Sequence, residues 1–306
     1  MTPYSLVLSS MVFLGPAISL SSGNWLILWG GMELSLMGLM PLMNMGRGMI
    51  SSESSMKYFL IQAVASTIIL ISGMNIYFLK DLNFIFILFF VFSLIVKLGA
   101  FPFHFWVIPV VEGSKYYHMF YLLVPMKIVP LMLMCSALAL DKLVYEVVMI
   151  SSLATLIVGP ILGNNVSSTS KMIGASSIGH SGWFMLGSLF GGLWLYYLCY
   201  SLTLWMLLWV LLQHNELFIS LMVLSLSGLP PFFLFVGKMY IFFAAMVSYG
   251  FYSIMMILIF SSLMSLNFYL KFSYMYYLIS SKMESKFNFM SASLLLAAGG
   301  LLLLMF

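Results

Sequence analysis

The chain has 306 residues, 63% hydrophobic and 7% charged, with a mean hydropathy of +1.12 and a formal net charge of +4. Soluble domains average roughly 25% charged residues, so this composition reads as a membrane protein in which no soluble domain can be placed. The positive charge is scattered and not interleaved with aromatics in a basic cluster, which argues against a nucleic-acid partner and leaves lipid and other membrane segments.

A spanning helix needs about 20 mostly apolar residues. In chain order the predicted spans are about 3–22, 25–45, 56–79, 83–111, 119–139, 143–163, 171–190, 192–212, 217–247, 250–272 and 288–306, about eleven in all. Nothing basic precedes Arg47, so the first span has neither a secretory n-region nor an arginine-rich transit signature and is expected to be retained. The fourth and ninth spans are too long for one straight crossing, and each carries a Gly/Pro interruption, GAFPF from Gly99 to Phe103 and GLPPF from Gly228 to Phe232. Arg47, Lys57, Lys115, Lys171, Lys271, Lys282 and Lys286 fall after even-numbered spans, whereas only Lys80 and Lys142 fall on the other side. The positive-inside rule therefore places the N-terminus on the cytoplasmic or matrix side.

The two interruptions lie five spans apart, as do Gly15-Pro16 of the first span and Gly159-Pro160 of the sixth. An odd offset reverses direction across the membrane, and inverted repeats with discontinuous helices are a common transporter plan. The expected fold is an all-α polytopic membrane protein forming a single domain. It would contain two inverted five-helix repeats, about 3–139 and 143–272, with broken helices 4 and 9, and an extra C-terminal helix at about 288–306.

Four charged residues fall well inside predicted spans: Glu33, Lys97, Lys127 and Lys238. A charge at the bilayer centre costs roughly 2.5–3.5 kcal/mol on insertion scales, so such residues usually face the protein interior and mark an ion path. The bland alternative is a lysine that snorkels to the interface. Pro102, Pro230 and Pro231 leave carbonyls one turn upstream without their helical donors, and these need protein or water at membrane depth, so Lys97 is expected beside a small wet pocket. At an effective dielectric of about 20, separating a Glu/Lys pair from about 4 to about 8 Å halves an attraction of about 4 kcal/mol, enough to load or release a proton.

His180 and His104 are candidate relays because imidazole exchanges protons near neutral pH. Ser176, Ser177, Ser66 and Thr67 are candidates to hold connecting waters, although hydroxyls also bond to their own helix backbone. His118 and His214 are expected in loops, and Glu146 near a helix start, where the dipole favours a carboxylate. Cys135 and Cys199 each stand alone in an apolar segment, expected as buried structural thiols with no disulfide, zinc or iron-sulfur framework. The many aromatics and methionines suit membrane interfaces and irregular packing and call for no cofactor. GxGxxG, Walker A and HExxH motifs are absent from the sequence, and so is any arguable Ser/His/Asp arrangement.

Five segments together carry a resemblance: KYFLIQAVAS (57–66), KLGAFPFHFW (97–106), MKIVPLMLM (126–134), SSIGHSGWF (176–184) and SLSGLPPFFLFVGK (225–238). In order and spacing, from about residue 25 to about residue 245, they resemble the mitochondrial NADH dehydrogenase subunit 2 family. These are antiporter-like membrane subunits of respiratory complex I, NADH:ubiquinone oxidoreductase. The resemblance implies a multi-pass protein of the mitochondrial inner membrane, its N-terminus on the matrix side, that translocates protons while quinone is reduced elsewhere in the complex. It also implies that Glu33 and Lys97 are the family's glutamate/lysine pair, Lys127 its central lysine, His180 its connecting histidine and Lys238 its terminal lysine. Expected partners are other complex I membrane and accessory subunits and phospholipid such as cardiolipin. No cofactor is expected in this chain, with flavin, iron-sulfur clusters and quinone in other subunits. The high methionine content and the missing transit peptide agree with synthesis inside the organelle.

The segment VIPVVEG after PFHFW departs from the family pattern, which puts a role for a carboxylate such as Glu112 in doubt, and MKIVP departs just before Lys127 while keeping the lysine. Two other readings stay open. A free-standing cation/proton antiporter would use the same Glu/Lys/Lys/Lys series, and a non-pumping scaffold subunit would carry inert lysines.

Overall fold

The computed structural model describes residues 3–45, 48–80, 83–249 and 252–282. The predicted span at 288–306 lies outside the described residues, as do Arg47 and Lys286. Among the described residues the chain is helical, with no strand: α1 Pro3–Ser21, α2 Trp25–Asn44, α3 Met49–Gly73, α4 Phe84–Leu98, α5 Val107–Gly113, α6 Tyr116–Leu123, α7 Pro125–Ala137, α8 Lys142–Asn165, α9 Thr169–Phe190, α10 Leu193–Gln213, α11 Glu216–Ser227, α12 Phe233–Tyr249 and α13 Tyr252–Lys282. Beyond Gly73, α3 runs on through a wider π turn, Met74–Phe78.

Seven of the described stretches are long and apolar enough to cross a bilayer, which makes this a polytopic membrane protein. Helix α9 has the length, yet its serines, glycines and histidine make it too polar by composition. Most of its residues are instead buried among the other helices, including Ser176, Ser177, His180, Ser181 and Trp183. The polar residues of α9 are therefore shielded from lipid by protein rather than by water, and α9 occupies the interior of the bundle.

Small residues set the closest approaches. A Cβ on Gly15 of α1 would lie 2.5 Å from the Gly31 carbonyl of α2, and one on Gly159 of α8 would lie 2.6 Å from the Gly179 amide of α9. Without side chains at these points the backbones of α1 and α2, and of α8 and α9, come into direct contact, the usual mode of helix association in lipid.

The two Gly/Pro interruptions break their spans where the sequence places them. Both α4 and α11 end on a glycine in the left-handed region, Gly99 at φ +67° and Gly228 at φ +74°, a conformation that costs other residues about 1–2 kcal/mol. The break after α4 is closed by protein: Trp106 Nε1 donates to the Val96 carbonyl at 3.1 Å, and the Ala100 amide donates to Ile95 at 3.1 Å.

Several expectations require correction. The fifth predicted span, 119–139, is two helices, because Val124 (φ −113°, ψ −81°) interrupts it before Pro125. The residue preceding a proline is pushed away from helical geometry, and the Val124 carbonyl accepts both the Lys127 amide at 3.0 Å and Tyr197 Oη at 2.9 Å. The third helix starts at Met49 rather than near 56, and α13 runs ten residues past 272, since nothing from 252 to 282 is Gly or Pro. Lys57, Lys171 and Lys271 lie within helices, inside the predicted limits 56–79, 171–190 and 250–272. Lys271 Nζ donates to the Asn164 and Val166 carbonyls at 3.3 and 3.1 Å, which closes the C-terminal end of α8. Cys199 is buried as expected, whereas Cys135 is exposed on the outside of α7. His214 caps α10 on the surface, but His118 lies inside α6 and is half-buried.

Candidate functional site

The intramembrane lysines do not snorkel. Lys97, Lys127 and Lys238 are 8%, 4% and 8% exposed, and His180 is 3% exposed. Each amino group meets a particular backbone or sulfur acceptor within the bundle.

Lys97 lies in the last turn of α4, two residues before the αL glycine, and its Nζ stands 3.8 Å from Met32 Sδ on α2. Lys238 arrives from the far side of the second break. Its Nζ donates to the Ser227 carbonyl at 2.7 Å, at the C-terminal end of α11. One lysine precedes its break and the other follows it, yet both belong to the carbonyl end of a half-helix, where the helix dipole favours a cation. Lys127 sits instead near the amino end of α7, a position created by the break at Val124, and donates across to the Ser177 carbonyl of α9 at 3.2 Å.

His180 is one turn along α9 from Ser177. Its Nδ1 is 2.7 Å from Tyr196 Oη and its Nε2 is 3.2 Å from Tyr269 Oη, with the Tyr200 ring centroid 4.7 Å away. Both ring nitrogens thus have phenol partners, which hold the ring's orientation, and a phenol both donates and accepts. The sequence reading assigned the tyrosines to the membrane interfaces and missed all three. They are fully buried, and a signal was present in the tyrosines set deep inside the spans, in LWLYYLCYS and LNFYLKF.

Two cavities of about 20 Å3 each lie beside these groups, room for about one water apiece. The first touches Met32, Ser35, Tyr58, Gln62, Lys97 and Lys127. The second touches Ser176, His180, Trp183, Lys238 and Tyr269. Lys97 and Lys127 thus share one cavity, and His180 and Lys238 share the other.

Glu33 is not in direct contact with Lys97: among the described residues the ion pairs within 4 Å are Lys57–Glu53 at 2.6 Å and Lys171–Glu112 at 3.0 Å, both on partly exposed side chains. Glu33 Oε1 is buried without a hydrogen-bond partner, and its carboxylate is near enough to act electrostatically on Lys97 and on Tyr58. His104 is buried in the loop after α4, its ring 6.0 Å from Phe101 and 4.2 Å from Phe105, with Nδ1 unpartnered, and it borders neither cavity. The Ser66, Thr67, Ser176 and Ser177 hydroxyls donate to carbonyls three residues back in their own helices, and Thr67 is exposed. Of these four only Ser176 borders a cavity.

Broken helices, a polar central helix and three buried lysines define a polytopic membrane protein with charged groups in its interior. A profile of the NADH:quinone oxidoreductase/Mrp antiporter transmembrane family matches residues 22–216. Chain 2 of NADH-ubiquinone oxidoreductase from Albinaria caerulea is 34% identical over 278 residues, covering 91% of each chain, and its counterpart from Anopheles gambiae is 33% identical over 303 residues, covering 90% of this chain and 86% of that one. A chain of respiratory complex I from Thermus thermophilus superposes with a TM-score of 0.76 at 22% identity, covering 88% of this chain and 70% of that one. A chain of the Mrp complex from Dietzia does so with a TM-score of 0.78 at 19% identity, covering 87% and 59%. These two likenesses concern the fold. The chain belongs to the NADH:quinone oxidoreductase/Mrp antiporter transmembrane family.

Proposed function

We propose that this chain is an antiporter-like membrane-arm subunit of NADH:ubiquinone oxidoreductase, translocating protons through Glu33, Lys97, Lys127, His180 and Lys238 while electrons pass from NADH to ubiquinone in other subunits. The carrying observation is the pairing of buried basic groups on two water-sized cavities, Lys97 with Lys127 and His180 with Lys238. A proton moves between such groups when a water bridges them and when the charge of a neighbour changes. The Lys127 contact to the Ser177 carbonyl joins the first cavity to the helix that carries His180. His104, away from both cavities, has a peripheral part in this reading at most.

The inverted repeat is part of the same proposal. Residues of α1 to α7 line the first cavity, including Pro16, and residues of α8, α9, α12 and α13 line the second, including Pro160. Spans one, two, four and five thus correspond to spans six, seven, nine and ten, which supports repeats at about 3–139 and 143–272 and leaves the segment at about 288–306 as the extra helix. Membership of the multi-pass inner-membrane class follows from the mitochondrial complex I relatives. The lysine distribution supports a matrix-side N-terminus. Partners in this reading are neighbouring membrane and accessory subunits of the complex and anionic phospholipid such as cardiolipin, and flavin, iron-sulfur clusters and quinone belong to other chains. A free-standing antiporter is the weaker alternative, because chain 2 relatives match at 33–34% identity over nearly the whole length and the Mrp likeness is one of fold at 19%.

The test is Lys127→Met in the assembled oxidoreductase, reconstituted in vesicles. Proton translocation per NADH oxidised is expected to fall while the amount of assembled complex stays normal. Unchanged translocation with normal assembly would move the chain to the scaffold reading, and recovery of the chain outside any large complex would favour the free antiporter.

A further inference from the structure

We propose that Gln62 positions a single water between Lys97 and Lys127, and that this water is the bridge by which a proton passes from one lysine to the other. The inference rests on the proton-axis reading above and assigns a role to a residue which that reading does not use.

Gln62 lies on α3, one turn after Tyr58, and is 4% exposed. Its Nε2 is buried and has no hydrogen-bond partner. A buried amide without a partner is costly, and a primary amide carries two donors. Gln62 borders the same cavity of about 20 Å3 as Lys97 and Lys127. That volume accepts about one water, and a buried water needs two to four polar partners. Gln62, Lys97, Lys127 and Tyr58 all line the cavity, and in this proposal their amide, amino and hydroxyl groups are the partners of the water. Ser35, also on the wall, already donates its hydroxyl to the Met32 carbonyl at 2.7 Å.

The chemistry is balanced and needs no further reactant. One lysine, as ammonium, gives a proton to the water oxygen, and its N–H bond breaks. The water gives one of its own protons to the other lysine, held as neutral amine, and becomes water again. Gln62 neither gains nor loses a proton. Its N–H donates into the water oxygen, which turns the water's hydrogens toward the amine lone pair. A glutamine suits this task because it never ionises, so it orients the water without adding a charge between two bases.

The experiment compares three variants in the assembled oxidoreductase: Gln62→Met, Gln62→Asn and Lys127→Met. Met keeps the volume of glutamine and removes its polar atoms, and Asn keeps the amide and gives up volume. A water-positioning role predicts about tenfold slower proton translocation in Gln62→Met, the rate equivalent of one lost hydrogen bond, and a milder loss in Gln62→Asn. A packing role predicts the reverse order. A density map of the unaltered complex should show a water peak within hydrogen-bond distance of Gln62 Nε2, and Gln62→Met should lose it. Wild-type translocation in Gln62→Met, or no water peak in the unaltered complex, overturns the proposal. If Lys127→Met is inactive and Gln62→Met is not, the water bridge alone fails. If Lys127→Met pumps normally, the axis fails and the bridge with it.

Discussion

Replacing Gly228 with alanine separates the backbone and side-chain parts of the second helix break. Gly228 sits at φ +74°, where a residue with a Cβ is strained by about 1–2 kcal/mol. The new Cβ would also stand 2.9 Å from Lys238 Cδ, closer than real contacts allow, and 3.1 Å from its Cε and Nζ, a tight contact. The atoms to be displaced are the flexible end of a lysine, so the tail moves and the strand of contacts around it survives. What that movement lengthens is the 2.7 Å bond from Nζ to the Ser227 carbonyl, and a hydrogen bond to a charged donor is worth about 1.5–3 kcal/mol. The sum is about 2.5–5 kcal/mol if the bond is lost altogether, and about 1–2 kcal/mol if it adjusts. The assay is thermal inactivation of the assembled oxidoreductase, together with proton translocation per NADH oxidised in vesicles. Gly30→Ala serves as the control, since nothing lies within 4 Å of its added Cβ and helix propensity there improves by up to about 1 kcal/mol. Gly228→Ala is expected to lower both readouts, and Gly30→Ala neither. Full translocation in Gly228→Ala at normal assembly would refute the claim that the Lys238 amino group works from the carbonyl end of α11.

Gly15→Ala and Gly159→Ala would drive a Cβ against backbone atoms at 2.5 and 2.6 Å. The helix pairs must then separate at a cost of about 1–3 kcal/mol, read on native gels as a reduced yield of assembled complex. Tyr196→Phe removes the 2.7 Å partner of His180 Nδ1 and leaves a buried nitrogen unsatisfied, at about 1–3 kcal/mol, whereas Tyr269→Phe removes a 3.2 Å contact and should cost less. Thermal inactivation orders the two, and the opposite order would argue that Tyr269 is the main support of the ring. Glu112→Gln breaks an ion pair to Lys171 whose side chains are 41% and 36% exposed, and pairs of that kind contribute about 0–1 kcal/mol. Assembly and translocation should stay within about twofold of the unaltered complex, and a larger loss would mean that Glu112 acts on protons or on a neighbouring subunit.

The membrane class, the limits of α1, α2, α8, α9 and α10 and the breaks at Gly99 and Gly228 are legible in the linear sequence, because each depends on a local rule. Span length and hydropathy are sums over a window, and an αL glycine followed closely by proline stops a helix wherever it stands. That Lys97, Lys127 and Lys238 are buried is legible for a similar reason, since the transfer cost of a charge does not depend on which neighbour receives it. The break at Val124 is less visible, because a proline can also open a helix or sit inside one, as Pro130 does in α7, and the choice follows from the carbonyl bond offered by Tyr197, 73 residues away. The partners of the buried groups were not legible at all. Lys127 finds the Ser177 carbonyl, His180 finds Tyr196 and Tyr269, and Glu33 stays out of direct contact with Lys97. Which tyrosine turns inward depends on the rotation of α10 and α13 against α9, and that rotation is set by packing across residues far apart in the chain. Composition and local geometry decide that charges lie within the membrane and where the helices break, and helix packing decides which of those charges share a water-sized cavity.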